Sequence, residues 1–293
     1  MKTTFKINLF RLIFTSILLC NTLLQATLSF QTSVQSQAQG FATTAAANGL
    51  EAVHKNPAGL YTIKNTKISL MSASHHGDLY QSHEMALAHR YQNHIFALHL
   101  PSKSISDIPL QNSIYSTNIK FKDESSGLFL SYATKLTTLP FLLGLSTKFY
   151  QQKIHTQKAK ALQINLGAQW VLNKLRLGLS IENLYGVKTW THTKNETFKP
   201  IFHSGFQYTL NKTLTLLMDH SFDPSFKNIS NIGFIIRPLE ILHIYAGIPN
   251  ITQKYKTFNG GFSLFHLPFT LHYLFQKNKL LGLGHRLKIT YEL

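Results

Sequence analysis

Histidine is the most abundant side chain in this sequence that could bind a metal, with 15 copies among 293 residues. A zinc site brings three or four His, Cys or carboxylate ligands together. Most of these histidines instead stand singly on predicted strands, as do His99, His203, His243 and His272. The adjacent pair His75–His76 falls in a predicted outer loop, and the single cysteine, Cys20, lies in the N-terminal apolar segment. The sequence therefore predicts no metal centre, no cofactor and no disulfide.

The run Asp219-His220-Ser221 contains the three residue types of a hydrolase relay. It falls on a predicted strand, where successive side chains point to opposite faces, so these three residues are not expected to act together. No glycine-rich phosphate loop or paired-carboxylate signature stands out either. We therefore predict that the protein is not an enzyme and has no catalytic residues. A hydrolase assembled from a separated Ser and His is the minor alternative.

The chain is strongly basic, with 29 Lys+Arg against 12 Asp+Glu, yet only 14% of its residues are charged. A soluble domain usually carries about a quarter charged residues, so much of this surface is not expected to face water. The predicted long loops after residue 150 hold eleven lysines against two acids, Glu196 and Asp223, for a net charge of +9 (11 minus 2). Those lysines are Lys153, Lys158, Lys160, Lys188, Lys194, Lys199, Lys227, Lys254, Lys256, Lys277 and Lys279.

A rim of lysines could meet the phosphates of lipopolysaccharide, where each Lys near an anionic surface gains about 1 kcal/mol. Nucleic-acid binding is not favoured, because the basic residues lack interleaved aromatic side chains on which bases could stack.

The N-terminus has the pattern of a secretory signal peptide, predicted over residues 1–26. Lys2, Lys6 and Arg11 precede an apolar run over 12–19, and small residues near Ala26 suit cleavage. The run is shorter than the roughly 20 residues of a spanning helix, so a retained membrane anchor is the less favoured alternative.

From residue 66 onward, apolar and polar residues alternate over segments of eight to ten residues, which is typical of strands with one apolar face. The connections between these segments alternate between short and long, as in outer-membrane barrels. We predict an all-β, transmembrane antiparallel β-barrel over residues 66–293 with about 14 strands, twelve or sixteen being open alternatives. The predicted strands are 66–74, 82–91, 94–100, 126–135, 141–150, 162–171, 175–183, 201–210, 213–220, 229–237, 241–248, 258–265, 268–275 and 284–293.

An even strand number places both chain ends on the periplasmic side. Segment 112–121 is therefore omitted as a strand, since its alternation is the poorest, and 101–125 becomes one long outer loop. Placing Arg or Lys on the lipid face at mid-bilayer costs about 2–4 kcal/mol, so charged strand residues are expected to face the lumen. These predicted lumen-facing residues are Glu84, Arg90, Lys148, Arg176, Glu182, Asp219, Arg286 and Lys288.

Residues 27–65 are predicted to form a periplasmic or lumenal plug, because 38–60 are Ala/Gly-rich and not strand-like. This segment ends in Asn56-Pro57-Ala58-Gly59-Leu60 just before the first strand. With the ending 284–293 and the stretch 175–185, it resembles the long-chain fatty acid transporter superfamily. The likeness is closer to its smaller relatives, the type IX secretion proteins PorV and PorQ and similar barrels.

The resemblance implies that Asn56, Pro57, Ala58 and Gly59 belong to a hatch inside the barrel. Apolar residues at alternate positions from the C-terminus are expected to form an assembly signal for the barrel assembly machinery: Leu287, Ile289, Tyr291 and Leu293.

We expect an exported protein of the Gram-negative outer membrane that passes a small hydrophobic compound passively. The ligand would enter from the loops, the hatch would shift, and the ligand would leave laterally or to the periplasm. The alternative is a non-transporting accessory barrel that binds secretion-system or surface-attachment proteins. A periplasmic β-sandwich that binds an anion is a third, less favoured class.

Overall fold

The structure is a computed structural model, and it describes residues 33–75, 79–109, 120–136, 139–191, 195–224, 228–251, 257–278 and 282–293. The predicted signal peptide and the start of the predicted plug lie outside these residues. So do most of the omitted segment 112–121, His76, and five of the predicted rim lysines, Lys194, Lys227, Lys254, Lys256 and Lys279.

Fifteen strands occur in the described residues, and all but one form a closed ring. The strands are β1 Thr66–His75, β2 Tyr80–Tyr91, β3 His94–Pro109, β4 Lys120–Lys135, β5 Phe141–Ile154, β6 Gln157–Val171, β7 Leu175–Trp190, β8 Glu196–Thr197, β9 Ile201–Thr209, β10 Leu214–Phe222, β11 Ile229–Leu239, β12 Leu242–Ile248, β13 Phe258–His266, β14 Phe269–Asn278 and β15 Gly282–Glu292.

Each barrel strand pairs antiparallel with its neighbours in the chain, apart from β8. The two-residue β8 pairs only with the far end of β7, while the rest of β7 pairs with β9. The ring closes where β1 pairs with β15, with Leu70 opposite Ile289. Fourteen strands therefore form the barrel, which confirms the predicted all-β antiparallel class and strand number.

One end of the barrel, here called the short-turn end, carries tight connections such as Gln92–Asn93 and 172–174. The other end is called the long-loop end. The β1 start and the β15 end both lie at the short-turn end, where Lys67 Nζ is 2.9 Å from Glu292 Oε2.

The predicted long outer loops were wrong in part, because several strands run further toward the long-loop end. β3 continues to Pro109 and β4 starts at Lys120, so much of the predicted loop 101–125 is strand. β5 and β6 are joined by only His155 and Thr156, and β7 extends to Trp190. Alternation of apolar and polar residues ends where a strand leaves the lipid, although its backbone pairing continues, so the pattern underestimates strand length.

The two faces of the barrel differ as the alternation predicts. Leu130 is 49% exposed on the outer face, whereas Ser131 next to it is buried inside. On β15, Leu287 and Ile289 are exposed on the outer face, while Arg286 and Lys288 are buried inside. Half of each strand thus presents apolar side chains outward, which explains the low charged fraction of the chain.

Residues 33–65, here called the plug, contain three short helical segments: α1 Val34–Ala38, and the 3-10 helices η1 Gly49–His54 and η2 Pro57–Thr62. Ser33 Oγ caps α1 by accepting from the Ser36 amide, and Asn56 caps η2 in front of Pro57. Proline suits this first helical position because its missing N–H would have no intrahelical partner. Among the described residues, no helix is long and apolar enough to cross a membrane.

Replacing Leu130 by Arg should lower the free energy of unfolding by about 2–4 kcal/mol, because the guanidinium would lie on the lipid face near mid-bilayer. Urea unfolding of the barrel in lipid vesicles, followed by tryptophan fluorescence, measures this difference. Lys120→Arg is the matched control, since Lys120 is exposed at the long-loop end. Equal stability of Leu130→Arg and the control would contradict the assignment of the outer face.

Candidate functional site

The plug lies against inward-facing glycines of the wall, which occur as directly opposed pairs on neighbouring strands. These three pairs, here called the glycine track, are Gly144–Gly167, Gly178–Gly205 and Gly233–Gly247. A methyl group on Gly144 would lie 2.3 Å from the Ala58 nitrogen, and one on Gly178 would lie 2.3 Å from the Thr44 oxygen. These distances are too short for any side chain, so the plug backbone lies directly on the wall backbone.

Asn56 of the predicted plug motif is fully buried and bonds both to the plug and to the wall. Its Nδ2 lies 2.7 Å from the Thr44 oxygen, and 3.1 and 3.3 Å from the wall carbonyls of Ala168 and Leu179. Its Oδ1 accepts from the Ala58 amide at 3.2 Å. Asn56 therefore donates to backbone carbonyls of both the plug and the wall.

The other motif residues are also defined by close packing. Pro57 and Ala58 lie against Gly144, and a methyl group on Gly59 would lie 2.2 Å from the Ala47 oxygen. Pro57, Ala58 and Gly59 are all buried.

Asp219 holds the centre of the plug. Its Oδ2 accepts from the amides of Thr43 and Thr44 at 3.0 and 2.8 Å and from the Thr44 hydroxyl at 2.6 Å. Gln169 of the wall donates to the carbonyls of Ala45 and Ala47 at 3.1 and 3.0 Å. Irregular backbone at membrane depth is tolerated only where it is buried in protein or lines a water-filled cavity, so the buried plug needs such partners.

A buried charged cluster joins the plug to β2, β3 and β15. Lys288 Nζ lies 2.8 Å from Glu51 Oε1 and 3.7 Å from Glu84 Oε1. His54 Nε2 lies 2.9 Å from Glu84 Oε2, and His99 Nδ1 lies 3.6 Å from Glu84 Oε1. Burial alone would raise the pKa of Glu51, but Lys288, together with His272 and hydrogen bonds from Lys288 and Ser33, lowers it below its usual value.

Within this cluster, His54, Glu84 and His99 offer three atoms that all lie within 4.8 Å of one another and could hold a metal ion. The sequence pattern predicted no converging ligands. The three residues come from η1, β2 and β3, and only the docking of the plug brings His54 to the other two. No spacing in the sequence could have indicated this.

Ser221, His203 and Glu182 follow the order of a hydrolase relay. Ser221 Oγ lies 2.7 Å from His203 Nδ1, and His203 Nε2 lies 3.4 Å from Glu182 Oε2. However, Lys55 Nζ lies 2.9 Å from the same Nδ1. An ammonium group has only donors, so it takes the lone pair that would have to accept the serine proton. These residues therefore tie the plug to the wall, and Lys55 competes with Ser221 for the same ring nitrogen.

The run Asp219-His220-Ser221 is split between the two faces of β10, as strand geometry predicts. Asp219 and Ser221 are buried inside, whereas His220 is exposed outside and lies 3.0 Å from Ser230 Oγ.

The other predicted lumen-facing charges have separate surroundings. Arg90 donates to the plug carbonyls of Ile63 and Tyr61 at 2.7 and 2.5 Å. Lys148 is buried, with its Nζ 5.3 Å from the centre of the Phe129 ring. Arg176 lies near the short-turn end of β7, opposite Gln207.

Two residues assigned to loops lie in the wall instead. His75 is the buried last residue of β1, and its Nδ1 is 2.8 Å from Arg286 Nη2. Lys188, predicted on the outer rim, is buried in β7 and donates to Gln152 Oε1 at 3.1 Å. The predicted strands ended too early at both places, so the sequence did not predict that these two side chains face the lumen.

Two cavities are notable, one against the plug and one on the outer wall. One, of about 250 Å³, lies toward the short-turn end and is lined by Glu51, Arg237, Tyr245, His272 and Lys288 among others. The other is an apolar recess of about 590 Å³ on the outer wall, here called the wall recess. It is lined by Leu143, Gly144, Leu166, Gly167, Ala168, Leu179, Ser180, Ile181, Phe202, His203, Ser204, His220 and Phe222.

No family model matches the sequence, and no curated protein matches it. Solved structures do match the fold. The toluene transporter TbuX of Ralstonia pickettii has a TM-score of 0.65 at 12% identity, covering 91% of this chain and 99% of the other. The toluene transporter TodX of P. putida has a TM-score of 0.66 at 9% identity, with 89% and 98% covered. A FadL homologue of Pseudomonas aeruginosa has a TM-score of 0.58 at 12% identity, with the same coverage.

The protein therefore has the fold of an outer-membrane β-barrel, and two of its solved neighbours are toluene transporters. The match to a FadL homologue supports the predicted superfamily resemblance, but only for the fold. The closer likeness to PorV and PorQ stays a prediction.

Replacing Gly178 by Ala should displace the plug, because the new methyl group would overlap Thr44 and Ala45. We expect faster entry of a small hydrophilic dye into liposomes carrying the barrel. The matched control is Gly260→Ala on the outer face, where the nearest atoms belong to the Phe275 ring, which can rotate. Dye entry no faster than with the control would contradict the tight packing of the glycine track.

Replacing Asp219 by Ala should loosen the plug around Thr43 and Thr44, which would lose their shared acceptor. A hydrogen bond to a charged group contributes about 1.5–3 kcal/mol, so amide hydrogen exchange over residues 42–47 should become at least about tenfold faster. Asp107→Ala removes an exposed ion pair with Lys120 and should leave this exchange unchanged. Unchanged exchange in Asp219→Ala would show that the plug does not depend on this carboxylate.

Proposed function

We propose that the protein is an exported outer-membrane barrel that passes a small hydrophobic compound passively across the outer membrane. The observation that most directly supports this proposal is that the plug fills the lumen beside an apolar recess in the wall. The fold likeness to toluene transporters supports the same ligand class.

The plug contacts opposite sides of the barrel. Helix α1 lies against β12 to β15, and η2 lies against β3 to β6. Together with Asp219 and Gln169 at its centre, these contacts close the direct route along the barrel axis. A ligand that enters from the long-loop end therefore needs the plug to shift.

The wall recess offers such a ligand an apolar exit. Gly144 and Gly167 line the recess and lie directly behind the plug motif, where Asn56 and Pro57 contact them from inside. Because these glycines have no side chains, only the wall backbone separates the motif from the recess. Asn56 also bonds to the carbonyls of Ala168 and Leu179, two further recess residues. A shift of the motif would thus join the lumen to the recess.

Export and assembly complete this proposal. Residues 1–26 would act as the signal peptide, and Leu287, Ile289, Tyr291 and Leu293 as the assembly signal read by the barrel assembly machinery. The first two and Leu293 are exposed apolar residues, and the Tyr291 ring lies 5.0 Å from that of Phe269. Lys153, Lys158, Lys160, Lys199 and Lys277 are exposed and would contact lipopolysaccharide phosphates.

The test is uptake of labelled toluene by whole cells whose outer membrane carries lipopolysaccharide. This leaflet slows hydrophobic solutes, whereas plain phospholipid vesicles admit them. Cells expressing the barrel should take up toluene several times faster than cells carrying an empty vector. Ala168→Trp, which fills the wall recess, should remove this gain.

Leu70→Trp is the matched control, because Leu70 is exposed on the outer face of β1, away from the recess. No gain with a correctly assembled barrel would reject transport of such compounds. A gain that Ala168→Trp leaves intact would reject the lateral route alone. Co-purification of a larger secretion complex, with no uptake, would favour the accessory-barrel alternative.

A further inference from the structure

The side chains of His54, Glu84 and His99 converge with spacings that suit a tetrahedral zinc ion. Zinc binds His nitrogen and carboxylate oxygen at about 2.0–2.2 Å, so two ligand atoms in tetrahedral geometry lie about 3.4 Å apart. The distances from His54 Nε2 to Glu84 Oε2 and from His99 Nδ1 to Glu84 Oε1, 2.9 and 3.6 Å, lie on either side of this value. One ligand atom from each of the three residues lies within 4.8 Å of the other two, so the atoms would have to approach one another by at most about 1.4 Å.

His99 is a second and independent indication. Its side chain is fully buried, and neither ring nitrogen has a hydrogen-bond partner among the described residues. Its nearest acceptor, Glu84 Oε1, is 3.6 Å away, which is beyond a normal N–H···O bond. Buried polar atoms usually have a partner, and a metal bound at Nδ1 would supply one.

The charge of the cluster also suits a cation. With neutral histidines, Glu51 and Glu84 carry two negative charges against the one positive charge of Lys288, which leaves a net charge of −1. Lys288 is held mainly by Glu51, at 2.8 Å, and lies 3.7 Å from Glu84. The Phe129 ring, 6.2 Å from that of His54, covers the site with an apolar surface.

We propose that His54 Nε2, His99 Nδ1 and the Glu84 carboxylate bind one Zn²⁺ ion, with the fourth position open to water. Three protein ligands with one open position are a common arrangement for zinc. Because His54 belongs to the plug and the other two ligands belong to the wall, the ion would link plug and wall. His54 ends η1, two residues before Asn56, so the link would also hold the plug motif near the wall recess.

The test is a titration of the folded, detergent-solubilised protein with Zn²⁺ in competition with a coloured chelator. Wild type should bind one more zinc ion per barrel than His99→Gln or His54→Gln, whose affinity at this site should fall at least about 100-fold. His203→Gln is the matched control, because His203 is also buried and also contacts the plug through Lys55. Equal zinc binding by wild type and both cluster variants would overturn the proposal.

Two further measurements keep the result independent of folding defects in the variants. Heat-modified migration on a gel identifies the folded barrels, and only these are compared. Wild type loaded with Co²⁺ should show the intense visible absorption of four-coordinate cobalt, and only weak six-coordinate bands would overturn the proposal. Zinc binding is measured without any transported compound, so its failure is distinguishable from failure of the proposed transport.

Discussion

The contact between plug backbone and wall backbone is the constraint on which the rest of the structure depends. It requires glycine on both strands of a neighbouring pair, because one remaining side chain would hold the plug away. Gly144 opposite Gly167 and Gly178 opposite Gly205 meet this requirement only in the observed register. A slip by one residue would place the outward apolar side chains inside, so the lipid face and the plug fix the same register.

A plug seated this closely leaves irregular backbone at membrane depth, and the wall must supply its hydrogen-bond partners. Asp219 and Gln169 do so at the centre of the plug. Asn259 does so near α1 by donating to the Gln37 carbonyl at 2.7 Å. The polar residues of the inner wall are therefore tied to the shape of the plug, and they need not indicate a polar substrate.

Alternating hydrophobicity predicted the strands well wherever one strand face meets lipid. It failed at the long-loop end, where both faces are polar and Lys188 looked like a loop residue. The same alternation also predicts that the side chains of Glu84 and Lys288 face the lumen. Their meeting with Glu51 could not be predicted, because it depends on how the plug crosses the lumen and on the ring closure between β1 and β15.

The plug is held by different chemistry on its two sides, and this difference bears on how it could shift in the proposed transport. Toward β5 and β6, Asn56 and Pro57 make only neutral contacts, and water could satisfy the freed amide groups. Toward β2 and β15, separating the plug from Glu84 and Lys288 would leave buried charges without their partners, which costs far more. In the proposed transport, the lower-cost opening would thus lie at Gly144 and Gly167, behind the wall recess. The charged side would then act as the fixed end about which the motif moves.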